Sequence, residues 1–138
     1  MERTFALIKP EAVADGNAGK IIACIEEAGF GIKALKMVRL SKQQAENFYE
    51  MHREKAFFDE IVANLADKNV IAMVLAKENA VEDFRRLMGA TNPAAAEDGT
   101  LRCLYGKSIE KNGIHGAETA EIASVEAAFF FSRIEITE

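Results

Sequence analysis

The chain has 138 residues, of which 49% are apolar, and carries 17 basic against 22 acidic side chains for a formal charge of −5. That length and apolar content predict a single domain over residues 1–138 with enough material for a core. The acidic balance, with no basic run, argues against a nucleic-acid binder, and no apolar stretch is long enough to span a bilayer.

The predicted elements follow in chain order. Thr4–Lys9 reads as a buried strand, with Phe5, Ala6, Leu7 and Ile8 consecutive. Pro10 ends it and suits the first position of a short helix. Asn17 or a neighbour caps a helix to about Ala28, with Ala18, Ile21, Ile22 and Ile25 at helical spacing, and Gly29 stops it. Ile32–Leu40 is a second strand. Ser41 caps a helix whose inner face holds Ala45, Phe48, Tyr49 and His52. A further helix turns Phe58, Ile61, Val62 and Leu65 inward. Val70–Ala76 is a fully buried strand. Asn79 begins a helix with Ala80, Phe84, Leu87 and Met88 on one face. Gly89–Gly99 is a loop, Thr100–Tyr105 a short strand, Lys107–Gly116 irregular and Thr119–Phe131 a helix, followed by a short tail. This order predicts an α+β fold, a ferredoxin-like α/β sandwich with a four-stranded, mainly antiparallel sheet covered by helices.

The start of the chain, Met1-Glu2-Arg3-Thr4, leads into a strand rather than a signal-peptide core. Two cysteines without C-x-x-C spacing, Cys24 and Cys103, disfavour a disulfide framework or a cysteine zinc site. Both features suit a cytoplasmic setting. Two histidines, His52 and His115, are too few for a multi-histidine metal site.

Gly16-Asn17-Ala18-Gly19-Lys20 resembles the end of a P-loop. Only two residues separate its glycines and Ile21 follows the lysine, so a tight turn into a helix is the better reading. Asn112-Gly113-Ile114-His115-Gly116 is more informative. A neutral imidazole is a competent nucleophile near neutral pH and can carry a covalent intermediate. Glu126, inside the following helix, is a candidate to orient its second ring nitrogen. On spacing alone an ordinary loop histidine remains the favoured reading of His115. Lys9, Arg85 and Arg102 fall at or near element ends, where they could build a local phosphate pocket or serve as plain surface charges. Phe57 lies off the helical phase of Phe58 and is free to stack on a base or to fill a second contact.

Taken together these segments resemble the nucleoside diphosphate kinase family over nearly the whole chain. The resemblance rests on Arg-Thr-Phe-Ala-Leu-Ile-Lys-Pro-Glu-Ala-Val at the start, Phe-Tyr with Phe57-Phe58 downstream, and Leu-Met-Gly-Ala-Thr-Asn-Pro at 87–93. It continues through Gly99-Thr100-Leu101-Arg102, Asn-x-x-His-Gly at 112–116, and Glu126 eleven residues after the histidine. It implies a ping-pong phosphotransferase of nucleoside tri- and diphosphates, with His115 carrying the phosphate as phosphohistidine. By the same resemblance Glu126 fixes the His115 ring, and Lys9 meets the γ-phosphate region and the sugar. Arg85, Thr91 and Arg102 hold the phosphates, and Asn112 contacts the ribose hydroxyl. Tyr49 lines the pocket near the reacting phosphate. Phe57 stacks on the base, with Ile109 opposite. Mg²⁺ is expected on the nucleotide phosphates rather than in a protein cage. The resemblance also implies a homo-oligomer, a tetramer or hexamer built from dimers.

One departure stands out. The family usually has Ser-Asp after His-Gly, whereas this chain has Ala117-Glu118. The serine hydroxyl bonds near the catalytic glutamate, so its loss predicts an active enzyme with lowered turnover. The alternatives are a catalytically weak homologue that binds nucleotide or acts as a scaffold, and a small-ligand regulatory domain on the same fold. Nucleotide binding without phosphohistidine would distinguish either from the kinase.

Overall fold

A computed structural model describes residues Met1–Glu138. Four strands, β1 (Glu2–Ile8), β2 (Gly31–Arg39), β3 (Asn69–Lys77) and β4 (Ile114–Gly116), form one sheet in the order β2-β3-β1-β4. Every neighbouring pair is antiparallel. Seven helices accompany it: α1 (Pro10–Ala14), α2 (Ala18–Glu27), α3 (Lys42–Phe48), α4 (Phe58–Leu65), α5 (Ala80–Met88), α6 (Leu101–Tyr105) and α7 (Ala120–Phe130). The ferredoxin-like α+β expectation holds.

The central strands are apolar on both faces because both faces are covered. Phe5 and Leu7 of β1, with Val70, Ala72 and Val74 of β3, face one core with Ala45 of α3, Phe58 and Val62 of α4, and Ala123 and Phe130 of α7. The intervening residues Ala6, Ile8, Ile71, Met73 and Leu75 face a second core with Ile21 and Ile25 of α2, Phe84 of α5 and Leu101 of α6. This is the period-two alternation of a strand, written into consecutive apolar residues. Side chains set several helix starts. Ser41 and Gln44 form a reciprocal capping box on α3, and Thr119 accepts from Ile122 N to cap α7. Gly16, at φ +76°, makes the turn that precedes α2.

Two sequence expectations fail in the same region. Thr100–Tyr105 is helix α6, not a strand. Thr100 Oγ1 accepts from Cys103 N as an N-cap, and Leu101 and Tyr105, four residues apart, both meet the second core. The fourth strand is instead Ile114–Gly116, inside the stretch expected to be irregular. Ile8↔Ile114, Leu7↔His115 and Ala6↔Gly116 are its pairs with β1. Three residues flanked by glycines carry no strand signal of their own, and β1 supplies the template. The tail turns through a 3₁₀ segment at Arg133–Glu135, and Thr137 N donates to Lys33 O at 2.8 Å, where β2 is bulged.

Candidate functional site

Cross-strand pairing with Leu7 directs His115 to the first core's face, toward α7. There the imidazole packs edge-on against Phe48 at 5.8 Å and tilted against Phe5 at 6.3 Å, measured between ring centroids. Its Nε2 lies 2.9 Å from Glu126 Oε2. Glu126 is 9% exposed, and its other oxygen, Oε1, is buried with no partner. The carboxylate makes Nε2 the protonated nitrogen, so Nδ1 keeps the free lone pair.

His115 opens onto a cleft of about 420 Å³. Lys9, Tyr49, Phe57, Arg85, Thr91, Arg102 and Asn112 line the same cleft, each from a different segment. Glu126 lies behind His115, and Ile109, 51% exposed, does not line it. His52 and Ile61 also line the cleft. Sequence reading placed both on inner helix faces, the ordinary signature of a core residue. His52 Nδ1 is buried without a partner, and its ring lies 5.7 Å from that of Phe57.

The cationic groups are held in place before any ligand arrives. Arg102 donates from Nη1 to Gly89 O at 3.0 Å and from Nη2 to Ile114 O at 3.1 Å. Lys9 Nζ donates to Glu110 O at 2.9 Å and Asn112 Oδ1 at 3.1 Å, and lies 3.8 Å from Glu11 Oε2. Asn112 Nδ2 donates to Thr91 O at 3.1 Å, tying two candidate residues together. Glu11 also accepts from Gly113 N at 2.9 Å, while Lys9 N donates to Gly113 O at 2.9 Å. The loop that delivers His115 is thereby clamped to the end of β1 and the start of α1.

Burial sets the electrostatics. It lowers Lys9 below the usual 10.5, with nearby Arg102 adding to the effect and Glu11 and Glu110 opposing it. Burial, helped by Arg85, brings Arg102 down to about 10. At about 10, Arg102 remains cationic at neutral pH. Burial also raises the Tyr49 phenol, with Glu126 and Glu11 contributing, so it keeps its proton. The arrangement offers a nucleophilic nitrogen, converging cations and an aromatic face, 47% exposed, at Phe57. Those are the needs of phosphoryl transfer from a nucleotide, which depends mainly on positioning and charge neutralisation.

The family model described as nucleoside diphosphate kinase matches residues 2–136. A nucleoside diphosphate kinase of Geobacter sp. (strain M21) is 54% identical over 136 residues, covering 99% of both chains. That of Persephonella marina is 48% identical over 138 residues, covering 100% of this chain and 99% of the relative. Among solved structures, the Aquifex aeolicus nucleoside diphosphate kinase superposes with a TM-score of 0.96 at 38% identity, over 99% of both chains. The Halobacterium salinarum enzyme in complex with CDP superposes with a TM-score of 0.94 at 35% identity, over 99% of this chain and 91% of that one. No helix is long and apolar enough to cross a membrane.

Proposed function

The chain belongs to the nucleoside diphosphate kinase family, and from that premise we propose that it moves the γ-phosphate of a nucleoside triphosphate to a nucleoside diphosphate through phosphohistidine at His115. The observation that carries this reading is the His115 Nε2–Glu126 Oε2 bond of 2.9 Å at the wall of a cleft lined by Lys9, Arg85 and Arg102.

In the first half-reaction His115 Nδ1 attacks the γ-phosphorus in line. The Nδ1–P bond forms as the bond from phosphorus to the β,γ-bridging oxygen breaks, and the diphosphate leaves with that oxygen. Glu126 holds the Nε2 proton and stabilises the charge that develops on the ring. Lys9, Arg85, Thr91 and Arg102 neutralise and align the phosphate oxygens, with bidentate contacts available from the arginines. Tyr49, kept protonated, is a donor near the reacting phosphate. Phe57 gives the base a π-face that makes few hydrogen-bond demands, which fits broad base tolerance. Asn112, already bonded to Lys9 and Thr91, would meet the ribose hydroxyl. In the second half-reaction a terminal β-phosphate oxygen of another diphosphate attacks phosphorus; the O–P bond forms as the Nδ1–P bond breaks, and its electron pair returns to Nδ1 to restore neutral His115.

Mg²⁺ suits this cleft as part of the nucleotide substrate. Glu118 is the only carboxylate among the cleft residues, and no group of three or more His, Cys, Asp or Glu side chains here could hold an ion. The assembly we propose is a homo-oligomer, a tetramer or hexamer built from dimers, in the cytoplasm. The open edge of β2, with Leu35 and Met37 exposed, supports association between copies.

Incubation with ATP and Mg²⁺ but no acceptor, followed by intact-mass analysis at alkaline pH, tests the mechanism. The expected result is an acid-labile phosphoryl adduct, absent from His115→Ala and discharged by added GDP. ATP binding with no adduct would overturn the phosphohistidine route.

A further inference from the structure

A second cavity, about 500 Å³ in volume, shares no lining residue with the cleft. It forms where α1, the end of β2, the turn between α4 and β3, and the loop at 107–111 come together. Most of its lining residues are polar or charged, with Pro10, Val13 and Ala14 the apolar ones and no aromatic ring. Arg39, Lys68, Lys107 and Lys111 line it, a local excess of positive charge over its carboxylates on a chain of net charge −5.

Three carboxylates also line the cavity, but two are already engaged. Glu11 Oε2 accepts from Gly113 N at 2.9 Å and lies 3.8 Å from Lys9 Nζ, and Asp15 pairs with Lys107 at 2.8 Å. Lys68 donates only to Ala63 O, at 3.1 Å. Arg39 and Lys111 make no side-chain hydrogen bond or ion pair. Arg39, Lys68 and Lys111 therefore face the space with Asp67 as the one uncommitted carboxylate. No aromatic ring is there to stack on a nucleobase, and only Pro10, Val13 and Ala14 offer apolar side chains to an acyl chain. A fork from arginine and point charges from lysine suit phosphate oxygens, and the volume exceeds the need of a single phosphate.

We infer that this cavity is a second anion site, distinct from the nucleotide cleft, that takes a condensed inorganic phosphate. Sodium tripolyphosphate is the probe, titrated calorimetrically into the full chain at low salt without Mg²⁺, with the cleft saturated by ADP. One tripolyphosphate per chain is expected to bind under ADP. Its affinity should fall about tenfold in Lys68→Ala/Lys111→Ala, the scale of losing charge-assisted hydrogen bonds, while the ADP affinity stays unchanged. Loss of tripolyphosphate binding when ADP fills the cleft would mean that the anion enters the cleft alone, and would overturn the inference. Equal binding to the double variant would also overturn it. So would a change in sedimentation of that variant, which would mean that a second copy of the chain fills the cavity. Arg39→Ala, at the exposed end of β2, provides the same readout should the double variant fail to fold.

Discussion

Glu126 divides its two oxygens between unlike situations. Oε2 meets His115 at 2.9 Å, whereas Oε1 is buried and unsatisfied, a condition that costs about 1–3 kcal/mol. By the family resemblance a serine hydroxyl at position 117 would bond near this carboxylate, and Ala117 has none to offer. Ala117→Ser is therefore predicted to raise kcat about tenfold or more, the equivalent of one hydrogen bond to a charged group expressed in the transition state. Steady-state turnover with ATP and a second diphosphate measures it, and an unchanged kcat would remove the argument. The cations supply a pH prediction with a definite sign. Lys9 lies below 10.5 and Arg102 at about 10, and both bind phosphate only when protonated. The kcat/KM profile should fall as pH rises, beginning below the ordinary lysine value, because that ratio reports the free enzyme. Stability responds in the opposite sense to Lys9. Folding disfavours its charge, so its contribution improves as pH rises from the lowered folded value toward 10.5. An alkaline limb that began only above 10.5 would contradict the burial of Lys9.

At the scale of elements, β4 owes its position to contacts on both sides. It pairs with β1 through three residues, and Gly116 lies tight against α5. A Cβ at Gly116 would come within 2.8 Å of Phe84 Cδ2 and Met88 Cε. Gly116→Ala is predicted to destabilise the fold by about 1–3 kcal/mol through overpacking, and to slow adduct formation because His115 is the adjacent residue. Urea denaturation and the rate of phosphoryl loading check the two halves, and unchanged stability would show that the strand has room to move. The same region explains what the sequence left hidden. Leu101, Cys103 and Tyr105 alternate as a strand would, yet Leu101 and Tyr105 also fit one helix face. The Thr100 cap and contact with the second core decide for the helix. Local alternation over five residues cannot separate the two periods.

At the scale of the whole molecule, the sheet has two edges of different character. β4 is short, while β2 runs for nine residues with Leu35 and Met37 about half exposed on one face. The tail reaches β2 at Lys33 and through the Lys36–Glu135 ion pair, leaving Leu35 and Met37 open. Long apolar edges are ready to pair with another chain, so Leu35→Lys/Met37→Lys is expected to shift the protein to smaller species in sedimentation velocity. A native assembly in that variant would point to contacts elsewhere.

The sequence by itself determined the strands β1, β2 and β3, the helices around them and the family, because these rest on local periodicity, caps and motif spacing. Through the family resemblance it also pointed to Lys9, Tyr49, Phe57, Arg85, Thr91, Arg102, Asn112 and His115, half of the 16 residues that line the cleft; His52, Ile61, Met88, Gly89, Ala90, Ile114, Gly116 and Glu118 complete the lining, and Ile109 lies outside it. Only the tertiary structure decided that Ile114–Gly116 is a strand and that Thr100–Tyr105 is a helix. The orphaned oxygen of Glu126 and the cation-lined cavity between α1, β2 and the 107–111 loop belong to the same class. Each depends on segments far apart in the chain meeting in space, and no local pattern records which donors remain without an acceptor once they do.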